Sequence, residues 1–291
     1  MSGFPLPKLL EAFAGPTRAV ESLMPRRTFQ DVILPAATRR SLDQALAQVT
    51  SHDLVFNRWG LGQRHPTGLS LAFNFAGPSG TGKTMAAEIL AGELGLDLYR
   101  VELAGVVSKY IGETEKNLDR IFAAAEGSNG IVFFDEADAL FGKRSEVHDA
   151  HDRYANIEIS YLLQKMESFD GIAILATNLR GNLDQAFVRR LAFTVHFPFP
   201  DEESRRRIWR NVWPSAVPLD ATVDFDFMAR QFSLSGGNIR NIALAAAFLA
   251  AERGDAVAMR DLIAATRREY QKLGKTLTEA ELGGRAAEGG A

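Results

Sequence analysis

Residues 77 to 84 read GPSGTGKT, and their types and spacing are suited to binding phosphate. Two glycines flank four residues and precede a lysine and a threonine, which is the phosphate-loop pattern. We expect backbone N–H groups to curl around phosphate oxygens, Lys83 to reach the β and γ phosphates, and the Thr84 hydroxyl to bind Mg²⁺. The alternative is a glycine-rich turn without a ligand. The predicted nucleotide-binding residues are Gly77, Pro78, Ser79, Gly80, Thr81, Gly82, Lys83, Thr84 and Met85.

Two further stretches end in polar residues that would complete such a site. IVFFDEAD, residues 131 to 138, places Asp135 and Glu136 directly after an apolar run. We expect Asp135 to hold Mg²⁺ and Glu136 to polarise an attacking water, which requires a carboxylate within hydrogen-bond reach. Asn178 ends the run ILATN, and its amide would orient that water or contact the γ-phosphate. The alternatives are two acids that cap a turn and an asparagine that forms one.

The elements that must position these residues alternate along the chain. Five short apolar runs, in residues 69–77, 96–103, 130–138, 171–178 and 193–200, alternate with helical patterns up to residue 200. This alternation predicts a mainly parallel five-stranded sheet wrapped by helices on both faces. Together with the phosphate-loop motif, it indicates an α/β phosphate-loop NTPase fold. From residue 201 onward only helical patterns occur.

The same patterns predict four regions. Residues 1–28 are expected to form a flexible arm and residues 29–200 the α/β nucleotide-binding subdomain. Residues 201–273 are expected to form an all-helical subdomain, and the small and polar residues 274–291 a disordered tail.

Composition narrows the class of protein. The chain has 291 residues, of which 33 are basic and 36 acidic, for a net charge of -3. This balance does not favour nucleic acid as a partner. No cysteine is present, which removes disulfides and thiolate metal sites and suits a reducing compartment. Neither a secretion signal nor a long apolar run is recognisable, so we expect no membrane association and a cytoplasmic location.

The order of phosphate loop, aromatic segment, DEAD strand, ATN strand and paired arginines resembles the AAA+ ATPases over roughly residues 29 to 270. The resemblance implies an AAA+ module that uses ATP and Mg²⁺, with the helical subdomain acting as a lid. It also implies a homo-hexameric ring in which arginines of one subunit reach the nucleotide of the next. Arg189 and Arg190 are the matching positions. Ala192 stands where proteasomal members carry their second arginine, so the division of labour between the pair stays open.

Two more segments gain roles from the resemblance. KYIGETE matches a loop that lines the central channel, which implies that Lys109, Tyr110 and Ile111 grip a threaded polypeptide. LSGGNIRNI resembles a second sensor pattern, which implies that Arg240 reads the γ-phosphate from the lid. The alternatives are a tyrosine packed on its own subunit, surface ion pairs for the arginine pair, and an Arg240 bonded to a neighbouring helix.

The segment LDQAFVRRLAFTVHFPFPDEESR is similar to the katanin and spastin group. The stretches FGKRSEVHDAHDRYANIE and LSGGNIRNIALAAAFLAAE look most like ATPases encoded with bacterial extracellular contractile injection systems. The resemblance thus implies a motor that remodels or threads a protein client, in assembly or cargo loading of such a system. Three alternatives stay open, namely an ATP-dependent scaffold or switch, a nucleic-acid motor and a Rubisco-activase-like remodeller.

Overall fold

The structure is a computed structural model that describes residues 20–64, 70–107, 112–126, 130–137, 150–178, 191 and 193–278. The contacts between residues divide the chain into two compact units. The first comprises Met1–Val32, Ala36–Pro78 and Lys83–Phe197, and the second comprises Ile33–Pro35, Ser79–Gly82 and Pro198–Ala291.

The first unit is built around one sheet. Its strands are β1 (Val20–Leu23), β2 (Leu71–Ala76), β3 (Asp97–Glu102), β4 (Gly130–Asp135), β5 (Ile172–Thr177) and β6 (Phe193–His196). They lie in the order β1-β3-β4-β5-β2-β6, and every neighbouring pair is parallel except β1 with β3. The predicted α/β fold with a mainly parallel sheet is confirmed.

The strand count differs from the prediction, because the sheet has six strands and not five. The sixth, β1, lies in the stretch expected to be a flexible arm, and it pairs antiparallel with β3, with Val20 opposite Val101. It is four residues long, and only Val20 in it is buried. Such a short, half-polar edge strand has no alternating apolar pattern, so only its pairing with a distant strand reveals it.

Helices cover both faces of the sheet. They are α1 (Ala36–Asp53), followed by a π-helical turn (Leu54–Arg58), then α2 (Leu61–Arg64), α3 (Lys83–Leu94), α4 (Leu103–Val106), α5 (Glu113–Ala125) and α6 (Ala150–Ser168). On one face, α5 and α6 bury apolar side chains against Val101, Phe134 and Leu175. On the other, α3 contacts β3, β4 and β5 through a buried apolar side. Burial on both faces explains why β4 and β5 are apolar almost throughout.

The strand register places the predicted chemistry at one edge. Ala76 at the end of β2 pairs with Thr177 at the end of β5. Asp135 at the end of β4 pairs with Glu102 at the end of β3. In an open parallel sheet, ligands bind beyond these carboxyl ends.

The second unit contains four helices in the described part of the chain, α7 (Glu202–Asn211), α8 (Phe225–Gln231), α9 (Gly236–Arg253) and α10 (Met259–Lys272). Their ends are capped by local side chains. Asp201 accepts a hydrogen bond from the Ser204 backbone N–H at 2.8 Å, and Ser235 and Asn238 form a reciprocal capping box. Gly254 ends α9 in the left-handed conformation that favours glycine.

The core of the second unit is separate and apolar. Trp209, Phe232, Ile239 and Leu262 are among its fully buried side chains. Arg205 is also buried here, and its guanidinium donates to the backbone carbonyls of Ala229 and Pro200, each at 2.8 Å. The buried charge therefore bridges two chain segments, which offsets part of its desolvation cost. None of the helices within the described ranges has the length and apolar character to cross a bilayer.

Candidate nucleotide-binding site

The phosphate loop joins the end of β2 to the start of α3, as the sequence predicts. Its glycines adopt backbone angles that other residues avoid, with φ of 73° at Gly80 and 101° at Gly82. A Cβ built at Gly77 would lie 2.0 Å from the carbonyl oxygen of Phe197. Gly77 is therefore required by the close approach of the Phe197 backbone.

Gly80 has a contact within the second unit, to which residues 79–82 of the loop belong. The Gly237 backbone N–H donates to the Gly80 carbonyl at 3.0 Å. A Cβ at Gly80 would lie 2.6 Å from the Ser235 hydroxyl oxygen. The start of α9 therefore packs directly on Gly80, and this glycine is needed for both its left-handed φ and this contact.

Lys83 is buried, with 7% of its surface exposed, and has three acceptors. Its ammonium donates to the carbonyl oxygens of Gly77 at 2.7 Å and Pro78 at 3.0 Å, and to Asn178 Oδ1 at 2.8 Å. A buried charge is stabilised by such hydrogen bonds, and ammonium groups offer three donors. The structure thus brings together two predicted residues that are 95 positions apart.

The acidic residues lie where β4 ends. Asp135 is 8% exposed, and its Oδ1 accepts the Glu136 backbone N–H at 3.0 Å. Its other oxygen, Oδ2, accepts the Thr84 hydroxyl at 3.4 Å. Thr84 and Asp135 therefore present two oxygen donors side by side, which is the ligand type Mg²⁺ takes in proteins.

The donor set fits magnesium bound together with a nucleotide. Mg²⁺ is usually held by one or two protein oxygens plus substrate phosphates and water. Within the described ranges, no cluster of three or more His, Cys, Asp or Glu side chains would hold a metal by itself. Thr84 and Asp135 would hold the ion, and the ion would supply charge neutralisation at the phosphates.

Glu136, directly after the end of β4, has an unusual backbone conformation. Its φ is 53°, and among the described residues it is the single non-glycine residue with a positive φ. The side chain is exposed, next to the buried Asp135. A non-glycine residue in the left-handed backbone conformation costs conformational energy, and residues in this conformation cluster at active sites. Because the Glu136 side chain is exposed, its carboxylate is accessible to a water molecule.

Arg100 is a residue of this edge that the sequence analysis misses. It lies on β3, and its guanidinium contacts Asp135 Oδ2 through Nε at 3.0 Å and a terminal nitrogen at 2.9 Å. The signal in the sequence is an arginine in the interior of the predicted strand LYRVEL, although its partner Asp135 cannot be read from that run.

The remaining predicted residues are Arg240, the arginine pair and the client-contact segment. Arg240 is exposed in the first turns of α9, and its role as a sensor stays a prediction. Lys109, Tyr110, Ile111, Arg189 and Arg190 lie outside the described residues, as does most of the predicted tail.

A known protein family matches the part of the chain that contains this site. The model of the "ATPase family associated with various cellular activities (AAA)" matches residues 73–200. This range contains the phosphate loop, the acidic pair and Asn178, but not Arg240.

Curated relatives extend beyond this range. A 26S proteasome subunit of Saccharomyces cerevisiae is 32% identical over 256 residues, covering 80% of this chain and 56% of that protein. An ATP-dependent zinc metalloprotease, FtsH 3 of Sphaerobacter thermophilus, is 34% identical over 247 residues, covering 82% and 48%. Cell division protein C of Sulfolobus acidocaldarius is 30% identical over 232 residues, covering 76% and 59%. The chain spans about half the length of the curated relatives it matches.

Proposed function

Because the chain carries an ATPase domain of the AAA family, which uses ATP with Mg²⁺, we propose that it couples ATP hydrolysis to the remodelling of a protein client. The observation that carries this proposal is the assembly of Lys83, Asn178, Asp135 and Glu136 at the carboxyl edge of one sheet. Relatives that include proteasome subunits and an ATP-dependent protease support a protein as the client.

Each residue of this edge has a proposed step. Lys83 neutralises phosphate charge, and Thr84 with Asp135 holds Mg²⁺. Glu136 accepts a proton from the attacking water as that water approaches the γ-phosphate. Asn178 holds the Lys83 ammonium through Oδ1, and its amide NH₂ group donates to the water or the phosphate.

The proposed working form is a ring, with six copies as the expected number. Arg189 and Arg190 would each be supplied to the nucleotide of a neighbouring copy, where a guanidinium neutralises charge on the transferring group. Such an arginine contributes about 10³ to 10⁵ in rate, so an isolated subunit would hydrolyse ATP slowly. Arg240, carried by the helical region as a lid, would report the γ-phosphate to that region.

The proposed client contact is the segment Lys109, Tyr110 and Ile111. An aromatic ring grips an extended chain through apolar and backbone contact, without regard to its sequence. Residues 29–200 would form the nucleotide-binding subdomain and residues 201–273 the lid, between an arm and a tail.

The finer assignment rests on the resemblance to katanin-like ATPases and to those encoded with extracellular contractile injection systems. We infer a role in assembling or loading such a particle, in the cytoplasm. The motif stretches FGKRSEVHDAHDRYANIE and LSGGNIRNIALAAAFLAAE support this proposal.

One experiment identifies the client. A Glu136→Gln variant in ATP should hold the nucleotide and the client together, because the step that resets the complex is blocked. Proteins recovered with this variant, and not with Lys83→Met, would be identified by mass spectrometry. Components of an injection particle would support the finer assignment, whereas DNA-stimulated hydrolysis without any client protein would favour the nucleic-acid alternative.

A second experiment tests threading. Tyr110→Ala should leave basal hydrolysis within about twofold of wild type and abolish remodelling, because only the grip on the client is removed. Tyr110→Phe is the matched control and should retain remodelling. Full remodelling by Tyr110→Ala would refute the channel role, and unchanged output by Glu136→Gln would favour a scaffold.

A further inference from the structure

Arg100 lies at the centre of a group of acidic side chains at the edge of the sheet. Besides its two contacts to Asp135, it lies 3.6 Å from Glu102 and 3.9 Å from Glu21. Glu102 is at the end of β3 and Glu21 is on the antiparallel β1. Three carboxylates thus share one guanidinium, so the group carries a net charge of about -2 at neutral pH.

The two oxygens of the Asp135 carboxylate have different hydrogen-bond partners. Oδ1 accepts the Glu136 backbone N–H, which fixes the orientation of the carboxylate independently of Arg100. Oδ2 accepts both Arg100 nitrogens and also faces the Thr84 hydroxyl. The oxygen on the threonine side, where a magnesium ion would be held, is therefore also the oxygen that carries the guanidinium.

Arg100 and Asp135 are both partly buried, which strengthens the interaction between them. The Asp135 side chain is 11% exposed and that of Arg100 is 27% exposed, so water screens their interaction only partly. A positive guanidinium nitrogen 2.9 Å from Asp135 Oδ2 repels a divalent cation that binds the same oxygen.

We propose that Arg100 is a positioning residue that sets the magnesium requirement of the nucleotide site. Its guanidinium competes with the metal ion for the charge of Asp135 Oδ2, the oxygen that lies beside Thr84. Mg²⁺ then binds firmly only when nucleotide phosphates supply additional negative charge. This inference rests on the proposed nucleotide site, but it does not depend on the client or on threading.

The test measures metal binding and not turnover. Wild-type protein and Arg100→Met, each with ADP, are titrated with Mn²⁺, and free Mn²⁺ is followed by electron paramagnetic resonance. Arg100→Met should bind Mn²⁺ about tenfold more tightly, because removing the positive charge beside Oδ2 removes its repulsion of the cation, while the Glu136 N–H still orients Asp135. Arg100→Lys keeps the charge and should stay within about threefold of wild type.

Two controls separate this effect from others. Arg39→Met removes an arginine whose Nε lies 2.9 Å from Asp43 in the same unit, and it should leave Mn²⁺ binding unchanged. Asp135→Asn should lose most Mn²⁺ binding in either background. Thermal melts of each variant show whether the sheet is intact.

The outcomes are distinct. Unchanged or weaker Mn²⁺ binding by folded Arg100→Met, with normal binding by wild type, overturns this inference and leaves the proposed function intact. Absence of ADP-dependent Mn²⁺ binding by wild-type protein overturns both. If Arg100→Met does not fold, Arg100→Gln is used in its place, and the same increase of about tenfold in Mn²⁺ affinity is expected.

Discussion

The nucleotide site of the first unit and the helix caps of the second unit hold their polar side chains in different ways. In the first unit, the decisive contacts join distant parts of the chain, as with Lys83 and Asn178, 95 residues apart, or Arg100 and Asp135, 35 residues apart. In the second unit, Asp201 and Ser235 each bond a residue three positions later. Local caps specify helix ends, whereas distant contacts assemble groups that no single segment could provide. We therefore expect substitutions in the first set to change chemistry and those in the second to change stability.

The largest expected effect tests the chemical side of this comparison. Glu136→Gln should lower the rate of ATP hydrolysis by about 10² to 10⁴, because a neutral amide cannot accept the proton of the attacking water. Nucleotide affinity should change by less than about threefold, since no predicted phosphate contact is removed. Turnover and fluorescent-nucleotide titration together check this; a variant that hydrolyses at the wild-type rate would exclude Glu136 as the base.

Lys83→Met should weaken ATP binding by about 100-fold. The change removes charge-assisted hydrogen bonds to phosphate, each worth about 1.5 to 3 kcal/mol. Isothermal titration calorimetry measures the affinity, and Lys165→Met, which removes the 2.7 Å ion pair with Asp119, is the matched control. Equal loss of affinity in the two variants would contradict a specific role for Lys83.

Asn178→Ala should have an intermediate effect, with hydrolysis about tenfold slower. The change removes one acceptor of the Lys83 ammonium and the amide donor proposed for the attacking water. Asn178→Asp keeps an acceptor for Lys83 but removes the donor, so it separates the two contributions. If Asp restores full turnover, the holding of Lys83 is the main role; if it does not, the amide donor is needed.

The smallest expected effect lies in the second unit. Asp201→Ala should lower the free energy of unfolding by about 1 kcal/mol without changing nucleotide affinity, because it removes the cap of α7. Asp201→Asn retains a capping side chain and should cost less. Urea denaturation checks both, and a larger effect on hydrolysis than on stability would break the comparison.

The stability that the Asp201 cap contributes should depend on pH. Hydrogen bonds from the Ser204 side chain and backbone lower the pKa of Asp201 below its usual value of 3.8. A lowered pKa in the folded state means that the stabilisation is present above pH 4 and is lost as the pH falls through the folded-state pKa. The difference in stability between wild type and Asp201→Ala should therefore shrink below about pH 4.

Much of the fold follows from the sequence, because strand and helix patterns are local. The five apolar runs correspond to β2 through β6, and the phosphate loop and acidic pair are recognisable by spacing alone. β1 is not, because its residues VESL carry one buried side chain and gain their role from pairing with β3.

The site is predictable only in part for the same reason. Arg100 reaches Asp135 because β3 and β4 pair in one register, with Glu102 opposite Asp135, and no motif encodes that register. The hydrogen bond from Lys83 to Asn178 similarly depends on β2 and β5 being neighbours. The roles of Arg189, Arg190, Tyr110 and Arg240 rest on resemblance and stay predictions.

The left-handed backbone conformation of Glu136 implies a trade-off between conformational stability and activity. A conformation of this kind costs a non-glycine residue on the order of 1 kcal/mol, which the rest of the fold must offset. Glycine at position 136 would relieve that cost and give a more durable protein that no longer cleaves ATP. Selection for heat resistance alone would thus favour losing the very side chain on which turnover depends.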